Sequence, residues 1–320
     1  MSGYDRDSAG RKAAQIGEIM GLSSAASSGI SLQLLGWLAV FGSAFCFYLA
    51  TAIIRWADGP VAIDSAYFTF SRFLLGFIVV CLTMLMGRQR LKPRRYHYLI
   101  GRTVSNTVAV FCFYKAVEVG SLAEANILNM TYPLFVALFS WFLVKDQRDS
   151  MALAIVGVAF CGVWLILSPG SMSTGLESLW GLCSGFCAAW AMIYLNLSRR
   201  HHDSQTILFF MFGLGALCIF VFFKESLFWP DFLEFKYLFW CSVAGVVGQY
   251  LLTYGFLFVT AVEGSIISSS RILLAALLGT FLVGDPPLVL SGWIGALLIF
   301  GANSMLALRR ATLNRLQSKG

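Results

Sequence analysis

DSAYFTFSRFLLG (residues 64–76) and DSQTILFFMFGLG (residues 203–215) are two versions of one segment, placed 139 residues apart and identical at six of thirteen positions. Chance similarity between apolar stretches rarely keeps a single register over a long distance. The register therefore indicates an internal duplication of the chain. The same offset relates FLVKD (142–146) to FLVGD (281–285), Glu124 to Glu263, and Gly162 to Gly301.

The composition places both copies in a lipid bilayer. Of the 320 residues, 58% are hydrophobic and only 12% are charged, and the mean hydropathy is +0.76. Soluble proteins have about a quarter of their residues charged. We therefore predict an all-α integral membrane protein with ten transmembrane helices, because ten stretches approach the ~20 residues that a spanning helix needs. They are 32–54, 65–86, 98–117, 121–144, 150–168, 176–197, 204–223, 236–259, 262–283 and 288–308.

Five of these segments fall in each copy, which defines the expected domains. Residues 32–168 form the first five-helix repeat and residues 176–308 form the second. Residues 1–31 are polar and rich in Ser, Ala and Gly, so we expect a disordered N-terminus. The N-terminus lacks the apolar core of a signal peptide. Residues 309–320 are expected to form a cytoplasmic tail.

The basic residues outside the spans predict the orientation, because cytoplasmic loops are enriched in Lys and Arg. With a cytoplasmic N-terminus, the outward loops carry only Arg55, Lys224 and Lys236. Both termini should then be cytoplasmic, and five helices per copy make the two repeats inverted. We therefore interpret the net charge of +7 as a signal of membrane topology. We expect no nucleic-acid partner. The inward residues are Arg6, Arg11, Lys12, Arg88, Arg90, Lys92, Arg94, Arg95, Lys145, Arg148, Arg199, Arg200, Arg309, Arg310, Arg315 and Lys319.

Inverted repeats in a membrane protein are typical of secondary transporters, and several motifs carry a more specific resemblance. Arg72 lies within FSRFLLG, Tyr132-Pro133 lies in the fourth segment, Lys145-Asp146 follows it, and Gly284-Asp285 stands at the equivalent place in the second repeat. With these motifs the chain resembles the EamA-type transporters of the drug/metabolite transporter superfamily over residues 32–308. The resemblance implies ten helices and transport of a small metabolite. The chain departs from the family pattern at Arg271-Ile272, where an apolar residue and Pro are usual.

Most ionisable residues within the spans have structural explanations. Arg102 lies near the cytoplasmic end of the third segment and is expected to snorkel to the interface. Lys115 and Glu118 are spaced i, i+3 and should pair. Glu124 and Glu263 lie at the starts of the fourth and ninth segments, where a carboxylate complements the helix dipole.

Arg271 has no such explanation, because it falls near the bilayer midplane on a Ser-rich stretch. One interpretation is a structural arginine held by backbone carbonyls or by a neighbouring Glu. The other is an anion-binding group, since the guanidinium fork matches carboxylate or phosphate. For Arg72, about 10 Å below the outer surface by helical rise, a structural or gating role is expected.

The repeat offset places hydrogen-bonding groups on one face of the fourth and ninth segments, because a spacing of i, i+3 and i+6 keeps side chains together. Such a face must be directed inward, since lipid cannot satisfy it. Pro133 removes the hydrogen bond to the carbonyl of Asn129 and should kink the helix there. The substrate-binding candidates are Asn126, Asn129 and Tyr132 of the fourth segment, Ser265, Ser268 and Arg271 of the ninth, and Arg72, Trp190, Tyr194, Gln249 and Tyr254.

Other functions find less support in the sequence. A membrane-embedded enzyme would need clustered acids or histidines, and a proton-coupled multidrug or cation exporter would need a carboxylate deep in the first segment, which has no charged residue. We therefore predict a transporter, and no enzyme, that moves an amino acid or organic anion by alternating access. We expect export, a location in the cytoplasmic (inner) membrane, and no cofactor or metal. A homodimer is an open alternative for its assembly.

Overall fold

The computed structural model describes residues 29–88, 90–143, 149–167, 178–259, 261–284 and 287–317, and within these ranges the chain is almost entirely helical. The predicted disordered segment up to residue 28, the motif residues Lys145, Asp146 and Asp285, and the boundary between the repeats lie outside the described residues. The α-helices are α1 (Gly29–Ala57), α2 (Ser65–Met86), α3 (Tyr96–Val119), α4 (Leu122–Asn129), α5 (Tyr132–Leu143), α6 (Ser150–Leu167), α7 (Ser178–Arg199), α8 (Ser204–Phe223), α9 (Phe232–Gly255), α10 (Ala261–Leu278) and α11 (Leu290–Gln317).

Eight spans in the described residues are long and apolar enough to cross a membrane. One of these spans, Leu122–Phe142, combines α4 and α5. The protein is therefore a multi-pass, all-helical membrane protein. The two long helices α3 and α9 are not among the eight, although each contains 24 residues.

Several boundaries differ from the predicted segments. α1 begins at Gly29, inside the segment that we expected to be disordered. α11 continues to Gln317, so the helix includes most of the predicted tail 309–320. The ninth segment ends in a short π-helix, Gly279–Val283, that follows α10. All three differences lie at helix ends, and α11 extends because its polar residues continue the helix beyond the apolar stretch that marks the span.

The duplicated motif has the same structural role in both copies. Asp64 and Asp203 are the N-caps of α2 and α8, and their side chains accept hydrogen bonds from the backbone amides of Ala66 (2.6 Å) and Thr206 (3.2 Å). An N-cap carboxylate satisfies an amide that has no partner within the helix. The Asp-Ser pair therefore marks the start of the same helix in each repeat.

The glycines of the motif bring α2 and α8 together. A Cβ atom at Gly76 would lie 2.5 Å from the ring of Phe212, and one at Gly215 would lie 3.3 Å from the ring of Phe73. These four residues are equivalent in pairs across the duplication, and the two rings are 6.1 Å apart in an edge-to-face arrangement. Repeat-equivalent residues thus meet each other at this helix pair.

Helices of the two halves also interleave elsewhere. The most extensively packed pairs are α3 with α7, α1 with α9, α6 with α11 and α2 with α8. In each of these pairs one helix precedes residue 168 and its partner follows residue 177. The core is therefore built between the halves, and the space enclosed there is lined by both.

The fourth predicted segment is broken at mid-depth, as Pro133 predicted. α4 ends at Asn129 and α5 begins at Tyr132. The side-chain amide of Asn303 on α11 donates to the carbonyl of Met130 at 2.9 Å, so this carbonyl is satisfied at the break. Gly185 on α7 packs there, since a Cβ atom would lie 2.8 Å from the carbonyl oxygen of Leu128.

Candidate functional site

A cavity of about 320 Å³ lies among the helices, next to the break between α4 and α5. It extends from the middle of the protein toward the end where α7 terminates and α8 begins. Arg199 is the last residue of α7 and Ser204 is the first of α8, and both line the cavity. This end of the molecule is the one predicted to face the cytoplasm. The polar lining residues are Arg72, Arg102, Asn106, Asn129, Tyr132, Asn196, Arg199, Ser204, Gln249, Thr253, Ser265, Ser268, Arg271 and Arg310.

Arg271 projects from α10 at the inner end of this cavity and is only 5% exposed. Its guanidinium donates a hydrogen bond to the side-chain oxygen of Asn129. The Cζ atom lies 5.8 Å from the ring centroid of Phe47 and 5.1 Å from that of Phe113. Aromatic faces attract a cation at these distances. The rings and the amide therefore fix the position of the guanidinium without neutralising its charge.

Arg72 occupies a similar environment on α2 and is also 5% exposed. Its Nη1 donates to the hydroxyl of Tyr114 at 3.0 Å. Its Cζ atom lies 5.2 Å from the ring centroid of Phe47, the ring that also contacts Arg271. We call Arg72 and Arg271 the inner arginine pair. One arginine comes from each half of the chain, and both are close to the ring of Phe47 on α1.

Three further arginines line the other end of the cavity, and we call Arg102, Arg199 and Arg310 the entrance arginines. Arg102 is 5% exposed, and its Nη2 lies 3.8 Å from the sulfur of Met211. Arg102 was expected to snorkel to the cytoplasmic interface, but in the structure it is buried and lines the cavity. Arg199 and Arg310 are exposed at its mouth.

The charges of this site are of one sign. Among the described lining residues there are five arginines and no aspartate or glutamate. The Nε atoms of Arg72, Arg102 and Arg271 are buried without a hydrogen-bond partner. A buried charge without a counter-ion is costly. The arrangement can therefore bind an anion, which would supply both the opposite charge and hydrogen-bond acceptors.

The acidic residues that the sequence singled out lie away from this cavity. Glu118 pairs with Lys115 at 2.6 Å, as expected. Glu124 and Glu263 fall in the first turns of α4 and α10, also as expected. The Oε1 atom of Glu263 accepts a hydrogen bond from Gln33 at 2.8 Å.

The structure brings seven of the eleven predicted site residues to the cavity. These seven are Arg72, Asn129, Tyr132, Gln249, Ser265, Ser268 and Arg271. In addition to its contact with Arg271, Asn129 donates to the hydroxyl of Ser184 at 2.5 Å. The equivalent polar positions on α4–α5 and α10 therefore meet, with the exception of Asn126.

The other four candidates have different partners. Asn126 is fully buried and donates to Thr51 at 3.2 Å. The hydroxyl of Tyr254 accepts a hydrogen bond from Gln205 at 3.0 Å. Trp190 packs on Phe139 with ring centroids 4.8 Å apart. Tyr194 packs next to Trp190 and against Gly101.

Sequence reasoning missed the entrance arginines and the aromatic residues Phe47 and Phe113. Arg199 and Arg310 were counted only as topology signals. The spacing of Arg102 and Asn106 by four residues on α3 would have placed both on one helix face. For Phe47 and Phe113 the sequence gives no signal, because phenylalanine is common in all the spans.

An ion pair outside the cavity joins α11 to the start of α6. The carboxylate of Asp149 accepts two hydrogen bonds from Arg309, at 2.5 and 2.8 Å. This bidentate contact lowers the pKa of Asp149 below its ordinary value of 3.8. Arg309 is thus neutralised within the protein, whereas its neighbour Arg310 lines the cavity.

Comparisons with known proteins agree with this architecture. The EamA-like transporter family matches residues 34–168 and 175–308. An uncharacterized transporter of Helicobacter pylori is 28% identical over 296 residues, covering 88% of this chain and 94% of its own length. A pseudopaline exporter of Pseudomonas aeruginosa is 27% identical and covers 68% of this chain and 77% of its own length.

A solved structure supports the fold. It superposes with a TM-score of 0.54 at 20% identity and covers 88% of this chain and 99% of the other. The two family matches together include most of the chain, and the relatives are named as transporters. The chain is therefore a membrane transporter, not an enzyme, and it belongs to the EamA-like transporter family.

Proposed function

We propose that this transporter moves a small organic anion, or an amino acid through its carboxylate, by alternating access. The observation that carries the proposal is the cavity of about 320 Å³, which has five arginines and no acidic residue among its described lining. Its size lies in the range of small-molecule sites. A cationic substrate would meet repulsion from every charged group of this lining.

The inner arginine pair supports an anion as the ligand. Arg72 and Arg271 are buried at mid-depth, and in the described residues neither forms an ion pair with a carboxylate. Ionisable residues at this depth in a membrane usually mark a substrate or ion pathway. A carboxylate bound between them would accept hydrogen bonds from both guanidinium groups, and its charge would reduce their mutual repulsion.

Ten spans in two inverted repeats provide the proposed frame for this site. α3 and α9 each contain 24 residues, which corresponds to about 36 Å of helix, longer than the ~30 Å hydrocarbon core. Polar residues lower the mean hydropathy of α3 and α9. Several of these polar residues line the cavity. The contact between α2 and α8 through repeat-equivalent residues also supports a two-fold relation of the halves.

The position of the cavity supports an inward-facing state. We propose that both termini are cytoplasmic and that the protein resides in a bacterial inner membrane. The lining extends from the inner arginine pair to Arg199 and Arg310 at the predicted cytoplasmic end. At the opposite end Leu122 and Glu124 are buried. Alternating access would open that end and close the cytoplasmic one.

Export is the proposed direction. The relative from Pseudomonas aeruginosa is named an exporter, and it covers about two thirds of this chain. An anion in the cytoplasm would reach the mouth of the inward-facing cavity directly, and arginines at this mouth would increase its local concentration.

Electrical recording from proteoliposomes on a solid-supported membrane tests the proposal. Carboxylates, phosphorylated metabolites, zwitterionic amino acids and organic cations are applied in turn to the reconstituted protein. We expect currents with anionic compounds that exceed those in protein-free liposomes and disappear in Arg271→Ala. Currents evoked by organic cations and not by acids would instead support a cation exporter.

A further inference from the structure

The five arginines of the cavity form two separate groups. The guanidinium groups of the inner arginine pair both lie within 6 Å of the ring centroid of Phe47. That of Arg102 lies 3.8 Å from the sulfur of Met211, and Arg199 lies on α7, which packs against α3. Each group contains a guanidinium with a buried Nε atom that has no hydrogen-bond partner.

Helix α3 gives the distance between the groups. Arg72 donates to Tyr114, and Arg271 lies over the ring of Phe113, both on α3. Arg102 lies on the same helix, 12 residues before Tyr114. At 1.5 Å per residue, the backbone positions of Arg102 and Tyr114 are about 18 Å apart along the helix axis. One carboxylate or phosphate group is far smaller than this spacing, so the two groups offer separate places for an anionic group.

The rest of the cavity lining is mixed. It includes apolar side chains such as Val136, Leu195 and Leu252 and amides such as Asn106 and Gln249. A ligand that fills this region thus has a largely apolar or neutral middle part. Its charges would be at its two ends.

From this geometry we infer that the substrate is an elongated dianion, with one anionic group bound by the inner arginine pair and the second bound by the entrance arginines. The inference rests on the proposed function, because it takes the cavity as the transport site. It adds the number of charges and their separation. It also assigns Arg102 and Arg199 a role in recognising the second anionic group.

Dicarboxylates and their half amides test the inference without knowledge of the natural substrate. Succinate, adipate and suberate are each compared with the half amide, in which a neutral amide replaces one carboxylate of the same shape. Dissociation constants are measured with the purified full-length protein from ligand-induced shifts of the melting temperature. At the chain length that reaches both groups, the dicarboxylate should bind about 10- to 150-fold more tightly, the effect of one charged hydrogen bond.

Two variants and one control locate the second charge. In Arg102→Gln the advantage of the dicarboxylate should disappear while the half amide binds as in the wild type. Arg199→Gln, at the exposed mouth, should also reduce the preference for the dicarboxylate over its half amide. This variant replaces Arg102→Gln in the test if Arg102→Gln does not fold. Arg200→Gln is the matched control, because Arg200 is adjacent in sequence, is exposed and is not part of the lining.

Equal affinities for dicarboxylate and half amide at all three lengths would overturn the dianion inference. If the half amides bound the wild type equally well and lost binding in Arg271→Ala, the proposed anion site would remain supported, but without a second charge on the substrate. If none of the acids shifted the melting temperature of the wild type, both the dianion inference and the anion site would be wrong.

Discussion

Replacement of Arg271 by alanine separates an anion-binding arginine from a structural one. The side chain has one hydrogen bond, to Asn129, and contacts with the rings of Phe47 and Phe113. Among the described residues it has no acidic partner. Arg271→Ala therefore removes a buried charge without leaving a carboxylate unpaired. The variant should fold and insert.

The expected magnitudes follow from these contacts. A hydrogen bond from a charged group contributes about 1.5–3 kcal/mol, and each ring contact contributes about 2 kcal/mol at a buried site. Removing an uncompensated buried charge offsets these losses by several kcal/mol. The net change in unfolding free energy should thus be small, whereas the loss of a substrate contact should weaken anion binding by about 10- to 150-fold.

Transport currents and melting temperatures measured on the same preparations distinguish the two effects. Arg271→Lys keeps the charge but not the planar fork, so its affinity should lie between that of the wild type and that of Arg271→Ala. Arg200→Ala, an exposed arginine outside the cavity lining, is the control for a change in overall charge.

A well-folded Arg271→Ala protein with wild-type affinity for its anions would refute the reasoning. A variant that failed to fold would show that Arg271 has a structural role. In that case Arg271→Lys, which preserves the charge, should restore folding but not tight binding if the fork also contacts the substrate.

Four further outcomes are expected. Asn129→Asp should weaken anion binding about tenfold or more, because a carboxylate beside Arg271 competes with the substrate; an unchanged affinity in ligand titrations would contradict this. Transport should persist when a pH gradient is dissipated, since no carboxylate lines the described cavity; collapse of uptake into proteoliposomes would indicate proton coupling. Leu91→Cys in a cysteine-free background should react with an impermeant reagent only from the cytoplasmic side; labelling in intact cells would show that the predicted orientation is wrong. Arg309 lowers the pKa of Asp149 below 3.8, so the pair contributes its full stabilisation above pH 3.8. This stabilisation is lost as the pH falls through the lowered pKa. The difference in melting temperature between wild type and Asp149→Asn should therefore vanish in acid; a constant difference would contradict the linkage.

Much of the fold could be predicted because the bilayer imposes strong constraints on sequence. Apolar stretches of sufficient length predicted the helices, and Pro133 predicted the break between α4 and α5. The predicted segments 65–86 and 204–223 begin at equivalent positions of the two repeats, and in the structure Asp64 and Asp203 cap α2 and α8 there. Helix ends were less predictable: α11 extends to Gln317 because a helix can continue in water beyond its apolar span.

The candidate site was predicted in part, and the reason differs between residues. Arg271 and Asn129 were found because polar groups at mid-depth must be directed inward. Trp190, Tyr194 and Tyr254 were not separable from cavity residues by sequence, since an aromatic residue in a span can pack, anchor or bind. In the structure they pack on Phe139, Trp190 and Tyr250, respectively, or on neighbouring helices.

The sequence by itself determined the membrane location, the duplication and the presence of arginines within the spans, because each depends on composition or on spacing along the chain. Only the tertiary structure decided which arginines share a cavity. Arg102 and Arg199 come from different halves of the chain and line the same cavity because α3 packs against α7. Contacts between distant segments depend on how helices pack, and helix packing is fixed by the whole set of side chains, not by the period of any one segment.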